Sequence, residues 1–372
     1  MRFRIPASGL HLFAIIVIMN RNAISITGGW PKRPVGARPG PRSVLTVIAI
    51  AVISMGVVTG PASAEPTDPA PRPSAGCSAP QPRPGTEPVL FSSRGVSGVY
   101  GRDIPESLDG PAPVVLDLHG YMEPAFIQYT STEFGTYGRT HGFVTVTPQL
   151  LRPGLPRWDF GNGSADIGYL GDLLTEVEST LCVDTRRIYA TGLSMGGFTT
   201  SSLGCQLAER IAAIAPVAGL SDFAWCDPAR PVPVIALHGT ADPIVAYEGG
   251  TGPNARLLPS PDGTGSADPG HQHPDVEGPG PQSIPDNAAA WAGRNGCGTE
   301  PAEQPVTGDV ILSVYPCPAG AEVQLWSVLG GGHIWFGTRS EIFPAALVGN
   351  DTDSISATTL IWDFFRAHPL RS

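Results

Sequence analysis

At 372 residues and 38.8 kDa the chain is long enough for one large domain or two ordinary ones. Hydrophobic residues make up 41% and charged ones 15%, with 46 glycines and 40 prolines in no fixed period. A buried core is therefore available, while a coiled coil, a long helical bundle and a collagen are excluded.

The formal net charge of −10 is unevenly placed. Arg2, Arg4, Arg21, Lys32, Arg33, Arg38 and Arg42 lie in a stretch, up to Ala64, that contains no acid. The rest holds 16 of the 23 basic residues against all 33 acidic ones, a net of −17. So acidic a body has no electrostatic footprint for phosphate backbones, which argues against a nucleic-acid partner.

Two apolar runs open the chain. The first, 12–19, is too short to span a bilayer. The second, 44–58, follows Lys32, Arg33, Arg38 and Arg42 and leads into Pro61-Ala62-Ser63-Ala64. A basic segment, an apolar segment and an Ala-x-Ala site are the parts of a secretory signal peptide. The expectation is a leader over 1–64, with 1–30 as an over-extended start, and an exported protein beginning near Glu65. The alternative is a single membrane anchor at 44–58. Export predicts no stable anchor once the leader is cleaved. Six cysteines, all beyond the leader (Cys77, Cys182, Cys205, Cys226, Cys297 and Cys317), fit an oxidising compartment. None forms a C-x-x-C pair, so disulfides are expected rather than zinc, with fifteen pairings open.

Residues 65–87 read as a proline-rich, mostly irregular lead-in. Beyond them, short apolar runs at 114–118, 143–147, 187–191, 213–217, 232–237 and 323–328 predict strands, and 89–91 with 99–102 an earlier antiparallel pair. Helices are expected at 165–181, 197–208, 287–295 and 355–368. The first has Ile167, Leu170, Leu174, Val177 and Leu181 on one face. Strands apolar on both faces, alternating with helices, predict an α/β domain over 88–372 with a mostly parallel sheet covered on both sides. The stretch 249–285, rich in Gly, Pro, Ser and Asp, is too long for an ordinary connection and reads as an insertion or lid. Its His271-Gln272-His273 is weighed as a metal pair against solvated polar filler, and the filler is preferred.

The strongest local signal is Gly192-Leu193-Ser194-Met195-Gly196, placed after a predicted strand and before a predicted helix. That context is what a nucleophile elbow requires. A serine nucleophile needs a base, and the base an orienting carboxylate. His333, after three glycines at the end of the last predicted strand, supplies the base. Asp242, in His238-Gly239-Thr240-Ala241-Asp242, supplies the carboxylate, with Asp222 as the alternative. The oxyanion donors expected are the N–H groups of Tyr121, in Leu118-His119-Gly120-Tyr121, and of Met195. His119 and His238 read as turn residues rather than proton shuttles. Trp158, Trp335 and the Tyr121 ring are the expected substrate-binding walls.

These motifs resemble the secreted α/β-hydrolases grouped as polyhydroxybutyrate depolymerase and feruloyl esterase-like enzymes. The likeness rests on 114–120, Arg157-Trp158-Asp159, Asp166 and the run from Asp184 through Arg187-Ile188-Tyr189 to Gly197. It continues through 213–219, His238 to Asp242, Trp291 with Asn295-Gly296-Cys297, and Gly331-Gly332-His333 with Trp335, and so covers roughly 88–368. It implies an α/β-hydrolase fold and hydrolysis of carboxylic esters through an acyl-enzyme, without metal or organic cofactor. The implied substrates are feruloyl- or acetyl-polysaccharide esters or hydroxyalkanoate oligomers. The chain stops soon after its last predicted helix, which favours a soluble or oligomeric ester over solid polyester. Two further readings stay open: a catalytically silent binding protein on this fold, and a serine peptidase. In the predicted fold the six cysteines pair as Cys205–Cys226, Cys297–Cys317, across a hairpin-like excursion, and Cys77–Cys182.

Overall fold

The computed structural model describes residues 69–107, 110–260, 282–338 and 342–371. The leader, most of the 249–285 insertion and its His271-Gln272-His273 motif lie outside the described residues.

Ten strands form one sheet. They are β1 (Gly85–Ser93), β2 (Val96–Ile104), β3 (Ala112–Leu118), β4 (Val144–Leu150), β5 (Val183–Leu193), β6 (Ala213–Val217), β7 (Val234–Gly239), β8 (Ala302–Pro305), β9 (Val310–Val314) and β10 (Val323–Val328). Their order is β1-β2-β4-β3-β5-β6-β7-β10-β9-β8. The six central strands are parallel, and each edge is closed by an antiparallel pair. Helices α1 (Ala125–Thr132), α2 (Phe134–His141), α3 (Ala165–Thr180), α4 (Met195–Gln206), α5 (Ile284–Arg294), α6 (Ala345–Val348) and α7 (Ala357–Arg366) connect them. The fold is that of an α/β-hydrolase: a large, open, mostly parallel sheet with helices on both faces. Among the described residues no helix is long and apolar enough to cross a membrane.

The two-residue period of the strands divides the core into two clusters, one on each face. Val114, Leu116 and Leu118 of β3, Val234 and Ala236 of β7, and Val323 and Leu325 of β10 join Leu170 and Leu174 of α3 and Trp291 of α5. Their neighbours Val115, Ile235, Leu237, Trp326 and Val328 point the other way and meet Phe134, Ile361 and Phe365. Because both faces of the central strands are buried, those strands read as continuous apolar runs.

Helices α1 and α2 have no counterpart in the predicted elements, for a physical reason. Their buried residues are Gln128, Ser131, Thr132, Phe134, Gly135 and Gly138, which give no apolar stripe. The polar ones are satisfied by a buried acid: Gln128 Nε2 donates to Asp117 Oδ1 at 2.7 Å and Thr132 Oγ1 to Asp117 Oδ2 at 2.6 Å. The excursion between Cys297 and Cys317 is the hairpin β8–β9, at the outer edge of the sheet.

The structure pairs Cys77 with Cys182, Cys205 with Cys226 and Cys297 with Cys317. The lead-in differs from an irregular tail. Residues Ala75–Ser78 form a 3-10 turn, Pro73 bridges to Asp184, and the Ser74 hydroxyl donates to Leu181 O at 2.6 Å. With Cys77 bonded to Cys182, this segment is fastened to the start of β5, and β1 already begins at Gly85.

Candidate active site

β5 ends at Leu193 and α4 begins at Met195, so Ser194 takes the whole reversal between them. Its backbone lies at φ 57°, ψ −120°, a region that costs a non-glycine residue roughly 1–3 kcal/mol. The surroundings hold it there: Ser194 N–H donates to Val217 O at 2.9 Å, and Phe198 N–H to Ser194 O at 3.0 Å. Gly196 is required by close approach, since a Cβ there would stand 2.1 Å from the Leu118 carbonyl oxygen. Elbow and β3 end are thus packed backbone against backbone, which brings the loop after β3 beside Ser194.

The loops after β7 and β10 bring Asp242 and His333 together. His333 Nδ1 lies 2.7 Å from Asp242 Oδ2, and both residues are buried. The Asp242 carboxylate is fully employed. Its Oδ1 accepts from the N–H groups of Ile244 at 2.8 Å and Val245 at 2.9 Å. Its Oδ2 also faces His238 Nε2 at 3.2 Å. Burial alone would raise its pKa, but the neighbouring His333 and His238 outweigh that and hold it well below the usual carboxylate range. The alternative acid, Asp222, is committed elsewhere, accepting from Arg294 Nε at 2.9 Å.

His238 Nε2 faces two acceptors, Asp242 Oδ2 and Val245 O at 2.9 Å, so that nitrogen carries the proton. His238 is therefore more than a turn residue, because it touches the carboxylate that orients His333. His119 is buried with Nδ1 2.7 Å from Gly120 O, and burial lowers its pKa to about 4, so it stays neutral.

Ser194 and His333 line one cavity, together with Gly120, Tyr121, Leu258 and Phe343 among others. The cavity is small, about 50 Å³. Tyr121 is among the lining residues, and its hydroxyl donates to Pro259 O at 2.8 Å, tying the loop after β3 to the segment 255–260. Trp158 and Trp335 are not wall residues. Trp158 is 1% exposed, with its indole N–H donating to His119 O at 3.0 Å and its backbone N–H 3.3 Å from Met195 Sδ. It supports the loops that carry Tyr121 and Met195 from behind. Trp335 is 3% exposed and donates to Thr358 Oγ1 at 3.0 Å, against Phe134. Large rings with one N–H fill a core well once that N–H is satisfied, and motif proximity does not bring them to the surface of a site.

The residue that sequence reasoning missed is Glu123. It is 3% exposed and lines the same cavity. Its Oε2 accepts Gly120 N–H at 2.8 Å, while Oε1 is buried without a hydrogen-bond partner among the described residues. Burial raises its pKa to about 7, opposed by the Gly120 N–H and by His333. The available signal was its place three residues after Gly120, close enough to close a turn on itself. Among the described residues no cluster of three or more His, Cys, Asp or Glu side chains could hold a metal ion.

No family model matches the chain. Among curated proteins, it is 34% identical over 152 residues to a bifunctional acetylxylan esterase/xylanase of Neocallimastix patriciarum, covering 40% of this chain and 22% of that one. It is 30% identical over 234 residues to feruloyl esterase B of Piromyces equi, covering 60% of this chain and 40% of the relative. With a probable feruloyl esterase C of Aspergillus niger it shares 30% over 179 residues, 45% of this chain and 63% of the other. The chain thus spans less than two thirds of the length of each of these relatives. Among solved structures, an acetyl xylan esterase from Aspergillus awamori aligns with 67% of this chain and 94% of its own, at 14% identity and a TM-score of 0.49.

Proposed function

We propose that the protein is a secreted serine hydrolase of carboxylic esters, acting through an acyl-enzyme on polysaccharide-linked esters. The observation that carries this reading is the Ser194 elbow opening into the same cavity as His333, with Asp242 on the far nitrogen of that imidazole. Similarity to feruloyl and acetylxylan esterases supports it and disfavours the silent binding protein and the peptidase. Three disulfides support export.

In this reading Ser194 Oγ attacks the ester carbonyl while His333 Nε2 takes its proton, and Asp242 holds the tautomer that makes Nε2 the base. The N–H groups of Tyr121 and Met195 receive the developing oxyanion, aided by the N-terminus of α4. His333 then returns the proton to the departing alcohol, and water repeats the sequence to release the acid. The cavity beside Ser194 is small, and Leu258 and Phe343 are among the residues that line it.

The test is Ser194→Ala and His333→Ala, each expected to lower ester hydrolysis by several orders of magnitude with the fold intact. A fluorophosphonate probe should label the parent and not Ser194→Ala. Acetylated xylan, methyl ferulate and hydroxybutyrate oligomers compared side by side rank the acyl groups. Unchanged turnover in Ser194→Ala sinks the proposal.

A further inference from the structure

We infer that Glu123 is the positioning residue of the oxyanion hole: by holding both backbone groups of Gly120 it fixes the turn 120–123 that presents the Tyr121 N–H to Ser194. The inference rests on the serine hydrolase reading of the site.

The turn is closed from both ends by one residue. Glu123 N–H approaches Gly120 O at 3.4 Å, and Gly120 N–H donates to Glu123 Oε2 at 2.8 Å. Between them, Met122 sits at φ 56°, a left-handed conformation that a non-glycine residue keeps only when its surroundings impose it. Its N–H donates to Pro156 O at 2.8 Å, which anchors the middle of the turn to the next loop. The Gly120 N–H is held by the Glu123 carboxyl, and Tyr121 lies between two fixed residues at the position that the hydrolase reading gives to the oxyanion donor.

Space makes the arrangement tight. A Cβ on Gly120 would stand 2.8 Å from Glu123 Oε2 and 3.5 Å from Ser194 Cβ, so the carboxyl, the turn and the nucleophile are packed in direct succession. A buried carboxyl is costly, the more so as Oε1 has no hydrogen-bond partner among the described residues, and a merely structural turn has no need of one. Fixing a donor to within a fraction of an ångström is a use that explains the cost, because oxyanion stabilisation depends steeply on donor position.

The discriminating variants are Glu123→Leu, which removes the acceptor, and Glu123→Gln, whose amide oxygen keeps it. With the full chain and p-nitrophenyl acetate, Glu123→Leu should lower kcat by about 10- to 100-fold, less than loss of a whole oxyanion donor, with KM within about threefold. Glu123→Gln should stay within several-fold of the parent. A phenylboronic acid, which forms a tetrahedral adduct on the serine, should lose affinity for Glu123→Leu in parallel with kcat. Fluorophosphonate titration counts the folded sites, and Glu123→Ala is read in the same way if the leucine variant does not fold.

The inference is overturned by a folded leucine or alanine variant with parental kcat, by a loss lying in KM alone, or by a Gln variant that falls as far as Leu. A parent inactive on every ester, or an active Ser194→Ala, overturns the hydrolase reading instead.

Discussion

Two buried carboxyl groups face His333 from different loops, and their environments push them in opposite directions. Asp242, after β7, receives two backbone N–H groups and lies against two imidazoles, and its pKa is held far down. Glu123, after β3, receives one N–H, its other oxygen meets no donor among the described residues, and burial raises its pKa to about 7. Both are buried, so burial does not separate them. The number of donors, and imidazoles in direct hydrogen-bond contact with Asp242 but not with Glu123, do. In the proposed mechanism the loop after β7 is thereby a holder of permanent charge beside the base, and the loop after β3 a holder of geometry beside the oxyanion.

Asp117 widens the comparison. It accepts from Gln128 and Thr132, both neutral, and burial still lifts its pKa to about 7. Two hydrogen bonds without a nearby cation do not keep a fully buried carboxyl ionised at low pH.

The sharpest way to break the contrast is to neutralise each carboxylate at constant shape. Asp242→Asn should lower kcat by about 10⁴-fold, since the amide presents the wrong tautomer partner to His333. Glu123→Gln should cost only several-fold. Steady-state kinetics on one activated ester decides this, and losses of equal size would show that the two groups do the same work.

Asp117 gives the next largest effect, on stability. Its folded pKa of about 7 lies above the ordinary 3.8, so between those values the folded state holds a proton that the unfolded state has lost. Stability therefore declines as pH rises from about 4 to about 7, by a few kcal/mol, and is level beyond. Asp117→Asn removes that slope. It also removes one acceptor, so the variant should be less stable than the parent at pH 5 and close the gap by pH 8. Urea midpoints at the two pH values check it, and a gap that widens with pH refutes it.

A smaller effect is expected at His238, the second imidazole on Asp242. Among the described residues, His238→Leu leaves His333 as the only side-chain donor to that carboxylate and removes the partner of Val245 O. A charge-assisted bond of this kind contributes roughly 1.5–3 kcal/mol, and only part of it acts through His333, so kcat should fall about tenfold. Parental kinetics would return His238 to the status of a turn residue.

What the sequence disclosed and what it hid divide along the same physical line. Central strands are apolar on both faces, so runs such as 213–217 and 323–328 are conspicuous. The elbow is conspicuous because only small residues survive the 2.1 Å approach at Gly196. The order Ser194, Asp242, His333 follows from strand ends on one edge of the sheet. Hidden were α1 and α2, whose buried faces are polar and are paid for by Asp117, a residue that looks like part of a strand. Strand β8, exposed along its length, offered no apolar signal at all. Glu123 was hidden because its role depends on a turn closing on itself and on packing against Ser194, neither of which is a pattern of residue types. Trp158 and Trp335 misled in the other direction, since aromatic size near a motif fits a pocket wall and a core equally well.

The smallest expected effect concerns the space between the two carboxyl loops. Ile244 and Leu258 approach from the segment after β7, Phe343 and Leu347 from the segment after β10, and all four line the cavity. They leave a small, largely apolar chamber beside Ser194. Leu258 is partly buried and sits on a loop held by the Tyr121–Pro259 bond, so its truncation should enlarge the chamber without loosening the core. One or two methylenes of added room are worth about 1 kcal/mol to an apolar substrate. Leu258→Ala should therefore raise kcat/KM for p-nitrophenyl butyrate relative to p-nitrophenyl acetate by roughly fivefold, leaving the acetate value near the parent's. A ratio that does not move, with acetate still turned over, would place the acyl group on the other side of Ser194 and assign Leu258 to the alcohol side of the ester.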